Sequence, residues 1–142
     1  FLYSLAAYVV ILAVFRIPLG ISAFFFPLVM ILLFFFSLGA GYILAVLYVF
    51  FGDIRHLYSV FLTLLMYLSA LFYPLELLPE GMQAFIRQNP IYQFIYAARS
   101  CVMYREIPSA GLWVKMILWS LLFYLAGIYI FRKAKTKVTL KL

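Results

Sequence analysis

The acidic, imidazole and thiol side chains of this chain are few and scattered. Asp53 and His56 stand three apart in Gly52-Asp53-Ile54-Arg55-His56, a spacing that suits an acid-base or metal pair. No third ligand or proton partner accompanies them, and such a pair more often belongs to a polar interface than to a catalytic centre. Glu76 and Glu80 are four apart, but Pro79 between them prevents one continuous helix face from presenting both. Glu106 is isolated. The sequence has no glycine-rich phosphate loop and no Gly-Lys-Ser or Gly-Lys-Thr, hence no local means of using ATP. Its single cysteine, Cys101, excludes an intrachain disulfide and a cysteine metal cluster. The expectation is a chain with no catalytic residue, no metal and no bound cofactor.

The elements that hold these residues are set by composition. With 69% apolar and 11% charged residues, 142 residues carry too few polar side chains to cover a water-facing surface. The reading is an all-α, multi-pass membrane protein. The net charge of +7 does not point to nucleic acid, because Arg132, Lys133, Lys135, Lys137 and Lys141 gather at one end, directly after an apolar stretch. Such a cluster marks the cytoplasmic side of a membrane. The chain opens on Phe1 inside an apolar segment, with no basic leading region and no cleavage site. A carboxy-terminal piece of a longer membrane protein is expected in place of a signal peptide.

Four membrane segments are predicted, the first incomplete. Residues 1–15 form a partial span, shorter than the roughly 20 residues a crossing needs, and Arg16-Ile17-Pro18-Leu19-Gly20 marks its exit. A span over 27–50 follows a short interfacial lead-in, with Pro27 at an early helical position. Gly39 and Gly41, near Ser37 and Ala40, make a small-residue patch where another helix can approach, or else reflect the ordinary use of glycine in membrane helices. The next span covers 57–73, where Thr63 and Ser69 can bond back to the helix. The last covers 112–131, with Trp113 at one boundary and Tyr124 and Tyr129 toward the other. Lys115 can snorkel to the headgroups or make a buried contact. Residues 132–142 read as a basic cytoplasmic tail. That tail places the Asp53 loop inside and Pro74 to Gly111 outside; Arg16, Arg87, Arg99 and Arg105 near the outer face weaken the charge rule without reversing it.

The outer interruption, 74–111, is too apolar for an exposed loop, since it carries Phe85, Ile86, Ile91, Phe94, Ile95 and Tyr96. Two short helices dipping into the outer half of the membrane and broken at Asn89-Pro90 account for both the apolarity and the break. Nonhelical backbone at that depth must be satisfied by protein or water, so the bend should pack inward. Asn89 can cap the second short helix. An amphipathic helix lying flat on the membrane is the alternative.

Three stretches, in order, carry a family resemblance: Phe50-Phe51-Gly52-Asp53-Ile54-Arg55-His56-Leu57, Ala70-Leu71-Phe72-Tyr73-Pro74 through Leu77-Leu78-Pro79, and Asn89-Pro90-Ile91-Tyr92-Gln93-Phe94-Ile95-Tyr96-Ala97-Ala98-Arg99. Together they resemble the permease subunit of ABC-2 type transporters, in the branch that exports O-antigen, capsule, teichoic acid or related glycans. One departure is Gly52, where the family usually has an arginine before the loop aspartate; Arg55 is the candidate substitute. The resemblance implies two permease copies around a path for a lipid-linked glycan. It also implies a separate nucleotide-binding subunit that uses ATP and Mg, in a bacterial or archaeal cytoplasmic membrane. This chain would then be the conduit and perform no bond chemistry. The family's main coupling helix lies upstream, so Asp53, Arg55 and His56 are secondary candidates for cytoplasmic contact. Pro74, Pro79, Asn89, Pro90 and Arg99 belong to the outer re-entrant segment. Among many aromatics, Tyr42, Tyr67 and Tyr73 are candidates to line the path by stacking on sugar rings, or they simply face lipid or the core. A multidrug or small-lipid ABC-2 exporter, and an accessory membrane protein without a path of its own, are the alternatives.

Overall fold

The computed structural model describes residues 21–51, 53–69 and 75–139; the side chains of 55 and 136–139 lie outside that description. All described elements are helical. A 3-10 turn, Ile21–Phe25, leads into α1, Phe26–Phe50. Then come α2, Ile54–Leu68, a short 3-10 turn at Leu75–Leu77, α3, Glu80–Gln88, and α4, Pro90–Arg99. A π-helical turn, Ser100–Tyr104, precedes α5, Ala110–Thr139.

Among the described residues, two helices are long and apolar enough to cross a membrane. α1 starts with Pro27 in its first turn, where the missing N–H has no intrahelical partner to lose. Its 25 residues span about 37 Å at 1.5 Å per residue, more than the roughly 30 Å of a hydrocarbon core. In the apolar windows of both α1 and α5 only 17% of residues are buried, so neither is the core helix of a water-soluble protein. Leu28, Ile31 and Phe34 on α1, and Leu118, Leu122 and Leu125 on α5, face outward, and only hydrocarbon solvates such faces without penalty. α2 has 15 residues, about 22 Å, and is short of a crossing by itself. The residues that the sequence reading adds to it, 70–74, lie outside the described residues, as do the partial span 1–15 and the exit 16–20.

α1 and α5 run parallel. Their ring contacts ascend together, from Phe25 with Trp113 at 6.1 Å, through Phe36 with Phe123 at 4.5 Å, to Tyr42 with Phe131 at 5.2 Å. The helices cross at Gly39 and Gly127. A Cβ on Gly39 would overlap the backbone of Phe123, and one on Gly127 would overlap the Gly39 carbonyl and lie 2.9 Å from its Cα. Close helix approach therefore requires glycine at both positions. The small-residue patch read from the sequence resolves onto Gly39, while a Cβ on Gly41 would meet nothing within 4 Å. Ser120 Oγ, 2.8 Å from the Leu32 carbonyl across the interface and 2.8 Å from the Met116 carbonyl on its own helix, adds a polar tie between the two backbones.

α5 continues without a break to Thr139, because nothing between Phe131 and Thr139 is glycine or proline. Arg132, Lys133 and Lys135 thus project from the last turns of a helix, the end at which cations are favoured by the macrodipole. Lys133 Nζ sits 6.0 Å from the centre of the Tyr129 ring.

Candidate functional site

The polar interruption folds into two short helices hinged at one residue. α3 follows Pro79 and carries Glu80 in its first turn and Arg87 in its last, the charge order a helix dipole favours. Pro90 opens α4 and disfavours helix at the residue before it; Asn89 accordingly leaves the helical region, at φ −64 and ψ 123. Its side chain does two jobs. Oδ1 accepts a hydrogen bond from the Ile91 N–H at 3.0 Å, capping α4, and Nδ2 donates to the Leu68 carbonyl at the end of α2, at 3.2 Å. The capping role expected of Asn89 is present, and the second bond ties the bend to a helix 21 residues away in sequence.

Gln93, one turn into α4, closes the bend from the inside by donating Nε2 to the Arg87 carbonyl at 3.1 Å. It is 4% exposed, and its Oε1 has no hydrogen-bond partner, an orphan that costs about 1–3 kcal/mol. Gln83 donates to the Leu78 carbonyl at 2.8 Å, and Leu75 and Ile86 pack with Leu78 and Tyr92 beneath it. Phe94, Ala97, Cys101 and Val102 join Val29, Phe36 and Met116 in the main core. The second short helix is therefore packed inward against α1 and α5.

The π-helical turn widens the backbone after Arg99, and the Cys101 carbonyl accepts a hydrogen bond from Ser22 Oγ at 2.9 Å. Arg105, at φ 55, ends the turn in the left-handed region, and the Glu106 N–H closes back on Ser100 O at 3.0 Å. Burial pushes the Cys101 thiol up, which keeps it protonated and a poor nucleophile. Burial also pushes the Tyr92 phenol up, against the opposing influence of Arg87.

Two cavities flank the bend. The larger, about 650 Å³, is an apolar groove between α1, α2 and α5, roofed by Gln88, Asn89 and Pro90. Phe36, Tyr58, Phe61, Trp119 and Phe123 supply its aromatic wall. The smaller, about 470 Å³, is a polar cleft between α3 and the start of α5, lined by Glu80, Gln83, Ala84, Arg87, Gln88 and Lys115.

The structure brings Asn89 and Pro90 onto the groove and leaves the other sequence-read residues elsewhere. Pro79 sits exposed at the start of α3, its carbonyl accepting from the N–H groups of Met82 and Gln83 at 2.9 and 3.0 Å. Arg99 is the half-buried last residue of α4. Tyr42 packs on Phe131, away from the groove, and Tyr67 is 57% exposed and does not line it. Tyr73 and Pro74 fall outside the described residues. Asp53 and His56 lie exposed at the opposite end of α2 from Leu68, and the Asp53 side chain does not cap the helix. The side chain of Arg55, like Gly52, is outside the description. No group of three or more His, Cys, Asp or Glu that could hold a metal occurs among the described residues.

Sequence reasoning missed Gln93, Arg87 with Lys115 as a shared cleft, and Gly127. Of these, Gly127 had a legible signal, since Ala126-Gly127 is the small pair in the last span that could answer Gly39. A family model described as ABC-2 type transporter matches residues 1–103, which takes in α1 to α4 and stops within the π-helical turn. No curated protein and no solved structure matches the chain.

Proposed function

The chain belongs to the ABC-2 type transporter family, and from that premise we propose that it is the permease subunit of an ATP-driven exporter of a lipid-linked polysaccharide or related glycan. Permeases of this family are non-catalytic membrane components that typically pair with a nucleotide-binding subunit. In this reading ATP and Mg are used on that partner, two permease copies enclose the path, and the chain itself binds neither cofactor nor nucleic acid. It sits as a multi-pass protein in a bacterial or archaeal cytoplasmic membrane, with Arg132 to Lys141 and the Asp53 loop on the cytoplasmic side and 74–111 on the outer side. Asp53, Arg55 and His56 then make secondary contacts with the nucleotide-binding subunit, and Tyr42, Tyr67 and Tyr73 are candidates for contact with sugar. The parallel course of α1 and α5, with α2 between them in sequence, supports this arrangement.

The observation that carries the reading is Asn89, whose one side chain holds both the end of α2 and the start of α4. A displacement of α2 driven from the cytoplasmic end pulls on the bend through the Leu68 carbonyl, so the outer insertion acts as a gate. The test is to follow radiolabelled lipid-linked glycan in cells with and without the active full-length permease. Movement to the outer leaflet only with the active permease is expected; an equal cytoplasmic-leaflet pool in both strains contradicts the reading. The apolar lining of the groove favours a second reading, export of a small lipid or hydrophobic drug, which dye export by the reconstituted transporter would support. Failure to copurify with any nucleotide-binding subunit would instead make the chain an accessory protein.

A further inference from the structure

The two cavities at the bend adjoin. Gln88 lines both. Lys115, in the polar cleft, and Trp119, in the apolar groove, are one turn apart on the same face of α5. α3 divides its surface between them. Glu80, Gln83, Ala84, Arg87 and Gln88, at helical spacing, face the cleft, while Phe85 faces the groove. A cationic compartment therefore lies beside an apolar one.

Each compartment restricts its occupant. The groove's 650 Å³ lies within the range of small-molecule sites, roughly 300–1,000 Å³. Along α2 it runs from Leu68, beside the bend, to Tyr58, a length of about 15 Å at 1.5 Å per residue. That is half of a hydrocarbon core about 30 Å thick, the depth of one leaflet. The cleft carries Arg87 and Lys115 against the single carboxylate of Glu80, a net charge of +1. A partner with one net negative charge at its head and a tail one leaflet long satisfies both compartments.

We propose that this composite site holds a resident anionic phospholipid of the phosphatidylglycerol class, its phosphate between Arg87 and Lys115 and one acyl tail in the groove under Asn89. The lipid fills the space between α2 and the α1–α5 pair. It thereby sets how firmly α2 is seated below the bend. The site rests on the membrane assignment of the chain and is independent of which cargo is exported.

The test uses the full-length permease assembly in nanodiscs of phosphatidylcholine containing labelled phosphatidylglycerol, with tightly retained lipid counted by native mass spectrometry. Wild type should retain phosphatidylglycerol over phosphatidylcholine by roughly fivefold, the effect of about one basic charge at the headgroup level. Arg87→Gln with Lys115→Gln should abolish that preference, and Arg87→Lys, which keeps the charge, should preserve it. Gly41→Leu should lower retention of both lipids by filling the groove, because a Cβ there meets no neighbouring atom within 4 Å and the fold is left intact. Equal retention of the two lipids by wild type, or an unchanged preference in the Arg87/Lys115 double variant, overturns the assignment. So does displacement of the labelled lipid by the lipid-linked glycan with the same residue dependence, which would make the groove a cargo path. The first two overturning results leave open whether the glycan is exported, which the leaflet assay decides separately.

Discussion

α1 and α5 are joined as closely as two helices can be, whereas α2 stands almost apart from them. At Gly39 and Gly127 the α1 and α5 backbones touch, Ser120 reaches the Leu32 carbonyl, and rings interlock from Phe25 to Phe131. α2 by contrast keeps Leu57, Val60, Phe61, Leu64 and Tyr67 exposed, is separated from α1 by the groove, and is held at its far end by Asn89. The hydroxyls of Ser59, Thr63 and Ser69 are all spent on α2's own carbonyls and none reaches a neighbouring helix. Among the described residues, the contrast separates a pair whose geometry is fixed by backbone contact from a helix tied to the bend through Asn89. A transporter needs both, a frame that does not move and an element that can.

The largest expected effect comes from prying the rigid pair apart. Gly39→Leu or Gly127→Leu forces side-chain atoms into backbone and should cost about 3 kcal/mol or more, seen as loss of monodisperse protein in detergent. Gly41→Leu, two residues away and facing open space, should purify like wild type; equal damage from all three would remove the distinction between the crossing point and its surroundings. Next in size is Asn89→Ala, which removes a helix cap worth about 1 kcal/mol and the tie to α2 together. Hydrogen exchange should rise near Leu68 and Ile91 while the α1–α5 crossing stays protected, and a uniform rise would mean that α2 is not separately held. Ser120→Ala should cost about 1 kcal/mol or less, measured as a small drop in thermal stability without loss of assembly.

The smallest effect concerns Cys101. Burial raises its pKa, so at neutral pH it holds less thiolate than an exposed thiol and should react slowly with maleimide, the rate climbing only above the usual thiol range. A cysteine introduced by Met82→Cys, at an exposed position of α3, should label quickly. Rapid labelling of native Cys101 would show that the π-helical turn after α4 is not packed into the core.

Much of this contrast was legible in the sequence, and the physical reasons for the rest are specific. Pro27, Pro79 and Pro90 mark helix starts through the missing N–H, and Asn89 before Pro90 announces a cap. These are local rules, readable without the fold. Which faces meet is not local. The apolar residues of α1 surround the helix, so periodicity gave no buried side, and aromatic type alone could not distinguish Tyr42 and Tyr67 from Phe36 and Trp119, which line the groove. Arg87 and Lys115 line one cleft although they lie far apart in sequence, a pairing that no spacing rule contains. That the last helix runs on through the basic residues after Phe131 follows from a stretch with no residue able to stop a helix before Thr139.

The central claim is that the Asn89 node governs export. The direct measurement compares glycan delivery to the outer leaflet by full-length permeases carrying Asn89→Ala, Pro90→Ala or Leu118→Val, the last a conservative change at a side chain 60% exposed on α5, with all three matched for membrane abundance. The account predicts export near wild type for Leu118→Val and clearly reduced export for the two bend variants; equal export by all three would contradict it.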